Sequence, residues 1–137
     1  MRQPMMLIAL SALGACASPL PPVDPKQAWV DLYTMTPGRV IMADRLDGKR
    51  LDDGRYFQVT PGKHELVVRF DYEIYSGGIM SEPRDRTCYL TVRFDDFKAG
   101  ERYRLEARAP VMEPQVLLYD ASRKVVVNEP SNVFCIP

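Results

Sequence analysis

The chain has 137 residues, with 18 basic and 18 acidic side chains, one histidine and three cysteines. That length supports one domain, and the even charge balance argues against the basic footprint that nucleic-acid binding requires. One imidazole and three thiols leave little material for a metal centre or a catalytic triad.

Arg2 supplies a short positive segment, and Met5–Ala15 (MMLIALSALGA) is an apolar run of eleven residues. A membrane-spanning helix needs about 20, whereas a run of this length suits the core of a cleavable leader. Residues 1–15 are therefore predicted to be a signal peptide, and its loss with Arg2 leaves one more acid than base. Leu13-Gly14-Ala15-Cys16 resembles the lipobox of bacterial lipoproteins, with small residues where the peptidase must grip an extended chain. The resemblance implies cleavage before Cys16 and a diacylglyceryl thioether on its sulfur. Each buried methylene adds about 0.8 kcal/mol, so two or three acyl chains anchor firmly. Ala17 and Ser18 follow the anchor where an Asp would favour retention in the inner membrane. The resemblance thus implies the periplasmic face of the outer membrane.

Residues 16–27 complete the link to the domain. Their ASPLPPVDPK stretch holds four prolines, which fix φ and remove backbone donors, so an extended polyproline-II tether is predicted. At about 3.1 Å per residue, ten residues reach up to ~30 Å.

Residues 28–137 carry the domain, and period-two alternation dominates them. Weaker strands are predicted at Trp29–Thr34, Arg39–Asp44 and Arg55–Val59. Across His64–Tyr72, Leu66, Val68, Phe70 and Tyr72 share one face. In the next strand Cys88, Leu90, Val92 and Phe94 stand opposite Thr87, Tyr89, Thr91, Arg93 and Asp95. Glu101–Ala109 is the clearest case, with Tyr103, Leu105, Ala107 and Ala109 against Arg102, Arg104, Glu106 and Arg108. Val116–Tyr119 and Arg123–Val127 follow. Asp47-Gly48, Asp52-Asp53-Gly54, Pro61-Gly62 and Ala99-Gly100 supply turns. Eight short strands with no helical period predict an all-β fold, a small antiparallel sandwich or barrel.

Asp47-Gly48-Lys49, Gly54-Arg55-Tyr56-Phe57 and Thr60-Pro61-Gly62-Lys63-His64-Glu65-Leu66-Val67-Val68 together resemble PEGA-type domains, in which a DGK hairpin precedes a PG-x-H turn into an alternating strand. Gly100-Glu101-Arg102-Tyr103-Arg104-Leu105 is similar to a strand of small proteobacterial lipoproteins carrying such domains. The resemblance covers about 80 residues and implies a PEGA/immunoglobulin-like sandwich; it brings no activity with it.

With Cys16 lipidated, Cys88 and Cys135 remain, and an oxidising periplasm favours their pairing. A disulfide there staples the C-terminal apolar segment to the sheet; free or intermolecular thiols are the alternative. His64, just after Pro61-Gly62 and in register with Leu66 and Val68, is expected to brace a turn or to sit at the edge of the core. Asp52-Asp53 and Asp95-Asp96 are expected at turns, because adjacent strand residues point to opposite faces and cannot converge as paired catalytic carboxylates. No metal site, cofactor or enzyme chemistry is predicted. Two loops hold apolar residues without a strand face: Ile79 and Met80 in residues 76–86, and Val111 and Met112 in residues 110–114. They are candidate partner-binding residues, with lids over the core as the alternative. The expected role is a membrane-anchored, non-enzymatic module that contacts another envelope protein. The alternative is a glycan- or lipid-binding module using exposed aromatics such as Tyr75.

Overall fold

The computed structural model describes residues 18–36, 39–75, 77 and 82–136. The leader, Cys16, Ile79 and Met80 lie outside the described residues. Ten strands form in chain order: β1 (Ala28–Thr34), β2 (Val40–Leu46), β3 (Lys49–Arg50), β4 (Tyr56–Val59), β5 (Gly62–Ile74), β6 (Arg84–Phe97), β7 (Arg102–Arg108), β8 (Gln115–Tyr119), β9 (Val125–Val127) and β10 (Asn132–Ile136). They pack as a sandwich of two five-stranded sheets. Sheet A has the order β4-β1-β7-β8-β9, and sheet B the order β10-β6-β5-β2-β3. Among the described residues no helix is long and apolar enough to cross a membrane.

The alternating faces decide the layering. Leu66, Val68, Phe70, Tyr72, Cys88, Leu90 and Val92 of sheet B are buried against Val30, Phe57, Val59, Tyr103, Leu105, Ala107, Val116 and Leu118 of sheet A. Complete burial of a Leu, Val or Phe side chain stabilises by about 1.5–3 kcal/mol relative to exposure, so this interleaved layer is the main stabilising term. All eight strands expected from the pattern form, and two more appear. β3 is a two-residue partner of β2 across the Asp47-Gly48 turn, where both residues have positive φ. β10 is the apolar C-terminal segment, paired antiparallel with β6 so that Cys135 stands opposite Cys88.

Two expectations need correction. The sandwich is not wholly antiparallel, because β1 runs parallel to β7, from Trp29 opposite Arg102 to Thr34 opposite Ala107. Its other neighbour in sheet A, β4, is antiparallel. Asp95 and Asp96 are not in a turn but inside β6. The register shifts there, so that Gly62 faces Phe97 while His64 faces Phe94. Two residues of β6 therefore oppose one of β5, a β-bulge. The bulge reverses the parity of the strand and sends Phe97 into the core, 1% exposed.

Three of the four sheet edges are short or flanked, which blunts strand-to-strand aggregation there. β3 has two residues and β9 three. The Pro-rich segment lies beside edge strand β4, where the Arg55 guanidinium donates to the Ser18 carbonyl at 2.7 Å and the Asp24 amide to the Gln58 side chain at 3.4 Å.

Candidate functional site

Strand pairings place the β1–β2, β5–β6 and β7–β8 connections at one end of the sandwich, opposite the end where Gln27 leads into β1. Exposed apolar side chains gather in these connections: Met35 (66%), Tyr75 (60%), Val111 (91%) and Met112 (41%). Val111 and Met112 belong to a 3-10 turn, Pro110–Met112, that follows β7. Both residues have left-handed backbone, φ 52° and 64°. For a β-branched residue this is a rare and costly conformation. It is held from below, because the hydroxyl of Tyr72, a core residue, donates to the Met112 carbonyl at 3.1 Å. The Tyr75 amide also lies 3.2 Å from the Met112 sulfur, tying the end of β5 to the turn.

At the opposite end His64 braces the turns, as expected from its place after Pro61-Gly62. Its Nδ1 is 2.6 Å from the Asp47 carboxylate and its Nε2 is 2.7 Å from the Thr60 carbonyl. Asp47 also accepts from the Glu65 amide at 2.8 Å. Burial pushes the Asp47 carboxyl up, but the Glu65 amide and the His64 ring outweigh it and hold the group below its ordinary value. Cys88 and Cys135 are joined as a disulfide. Among the described residues no three His, Cys, Asp or Glu side chains are grouped to hold a metal ion.

The polar face of β7, which the alternation assigns to solvent, is more structured than that assignment implies. Arg102 makes a two-pronged pair with Asp31 of β1, at 2.6 and 2.9 Å. That pairing, against a smaller opposing effect of burial, holds the Asp31 carboxyl below its ordinary value. Trp29 also donates to Asp31, stacks on Tyr56 at 4.4 Å, and is 2% exposed although it points away from the core. Arg104 lies 3.8 Å above the centre of the Tyr33 ring. Glu106 is only 4% exposed, and its nearest cationic nitrogens, on Arg104 and Arg108, stand at 3.6 Å. With Tyr119, Asp120 and Arg123 this face forms an open depression of about 570 Å³.

No protein-family model, curated protein or solved structure matches the chain. The candidate residues therefore stand on their geometry. Met112 meets Tyr75 at the end of the fold that also carries Val111 and Met35, while the Glu106 face escaped the sequence reading. Its only signal was the Arg-x-Arg-x-Glu-x-Arg spacing of β7, which an ordinary solvated strand face also shows.

Proposed function

We propose that the chain is a lipid-anchored envelope lipoprotein of the PEGA-like kind, whose sandwich docks on another envelope protein through its Met35–Tyr75–Val111 end. The leader, the Leu13-Gly14-Ala15-Cys16 motif and the Pro-rich link support anchorage at Cys16 on the periplasmic face of the outer membrane. One observation carries the docking: an apolar β-branched side chain, 91% exposed, is presented on strained backbone that a buried tyrosine holds in place. A turn serving only to connect β7 to β8 gains nothing from Val there, since Gly or Asn adopts such backbone more readily. Exposed apolar loop tips on a rigid scaffold are a common form of partner site.

A palmitate analogue fed to cells is expected to label the wild-type protein and not Cys16→Ser. A photo-crosslinker at position 111 is expected to give one discrete adduct, lost in Met112→Asp and absent when the crosslinker sits instead at Arg123, at the other end of the sandwich. Equal labelling of Cys16→Ser would sink the anchor; a crosslinking pattern identical at the two positions would sink the docking end.

A further inference from the structure

We propose that the outer face of sheet A around Glu106 is a binding site for a neutral oligosaccharide. Glu106 sits in the middle of that face on β7, and its carboxylate is buried to within a few per cent of completely. Neither ion contact to it is a hydrogen bond, because 3.6 Å exceeds the N–H···O range. Oε1 of Glu106 has no partner among the described residues, and neither has Nε of Arg108. A buried carboxylate oxygen thus lies unmet on a residue that lines a depression open to solvent, and the neighbouring Arg108 holds a second unmet buried group. Native proteins rarely leave such groups unpaired, because each loses its hydration without compensation.

The mixed signs of the site select the ligand class. Arg102, Arg104 and Arg123 line the depression together with Asp31, Glu106 and Asp120. An anion drawn by the guanidiniums meets three carboxylates, and a cation drawn by the carboxylates meets three guanidiniums. A hydroxyl is the small group that both donates and accepts, so one sugar hydroxyl can give its proton to Glu106 and accept from Arg104, both of which line the depression. A neutral sugar satisfies these contacts with no charge to desolvate. The volume, about 570 Å³, falls within the ~300–1,000 Å³ of small-molecule sites, and the half-buried ring of Tyr119 supplies an apolar wall.

The single tryptophan of the chain is a built-in reporter, since Arg102, which lines the depression, lies 5.8 Å from the Trp29 ring centre. The full chain, kept in a zwitterionic detergent, is titrated with tetra-N-acetylchitotetraose and with maltohexaose while Trp29 fluorescence and binding heat are followed. Saturable binding is expected for at least one sugar, with a Kd on the order of 1 mM or below. Arg104→Ala and Glu106→Ala are each expected to weaken it about tenfold. Phe134→Ala, on the outer face of sheet B, is expected to leave it unchanged. Thermal melting accompanies each titration. The Arg104 side chain is 49% exposed, so its variant stays informative even if the Glu106 variant unfolds. Failure of both sugars to saturate, an unchanged Kd in folded Arg104→Ala, or tighter binding of inorganic phosphate than of either sugar overturns the proposal. None of these outcomes bears on the docking end.

Discussion

Left-handed backbone at a non-glycine residue costs about 1–3 kcal/mol, and at Val111 no burial offsets it, because the side chain is 91% exposed. Asn tolerates this conformation far better than a β-branched residue does. Val111→Asn is therefore expected to raise the unfolding free energy by about 1 kcal/mol, read from urea denaturation. With the crosslinker moved to Tyr75, at the same end, the variant is expected to lose the partner adduct. A gain in stability with a loss of recognition is the mark of a residue kept for contact rather than for folding. Unchanged or lower stability would mean that the turn stores no strain. Tyr72 is the complementary residue: its ring belongs to the core, while its hydroxyl, donating to the Met112 carbonyl, fixes the height at which the tip stands.

Among the strands, β10 depends most on a covalent link. It is an edge strand of five residues, and Val133, Phe134 and Ile136 are each more than two-fifths exposed, so apolar burial alone holds it weakly. The Cys88–Cys135 bridge closes a loop of 47 residues in sequence separation, worth roughly 4 kcal/mol in the chain-entropy account. Replacing both cysteines with serine is expected to lower stability by about that amount. Amide protection across Asn132–Ile136 should fall before that of β5. Uniform loss of protection over both strands would contradict the staple. β5, β6 and β7 were legible in the sequence because each is long and one of its faces is almost wholly apolar. β10 was hidden because Val-Phe-Cys-Ile is a continuous apolar run, in which the period of two cannot be seen. The Asp95-Asp96 bulge was hidden because a parity shift leaves no mark on composition. At the functional site, Val111 and Met112 stood out as apolar residues between prolines. Their left-handed backbone did not, since what holds it includes a contact to Tyr72, 40 residues away in sequence. Nor could the burial of Glu106 be read from β7, because its neighbours include Tyr33 of the parallel strand β1.

At the scale of the whole molecule, basic and acidic residues are equal in number, so net charge contributes little self-repulsion near neutrality. The pH response should instead come from individual carboxyls at both ends and on both sheets. Four are held below the ordinary value of 3.8: Asp31 chiefly by Arg102; Asp47 by the Glu65 amide and His64, against the upward push of burial; Asp53 by Arg55; and Asp120 by the Ser122 hydroxyl. A depressed folded value means that the unfolded chain binds more protons through this range, so stability rises with pH there. The contribution is complete above about 3.8 and is lost as pH falls through the lower values of the folded state. Urea midpoints measured from neutral pH downward are expected to stay level to about pH 4 and then drop. Asp31→Asn and Asp47→Asn are each expected to start from lower stability and to show a shallower acid limb, because each removes one group whose proton uptake drives the drop. The double variant should be shallower still, since Asp31 lies on sheet A and Asp47 at the β2–β3 turn of sheet B, too far apart to share partners. An acid limb of wild-type steepness in the double variant would show that these two carboxylates do not set the response.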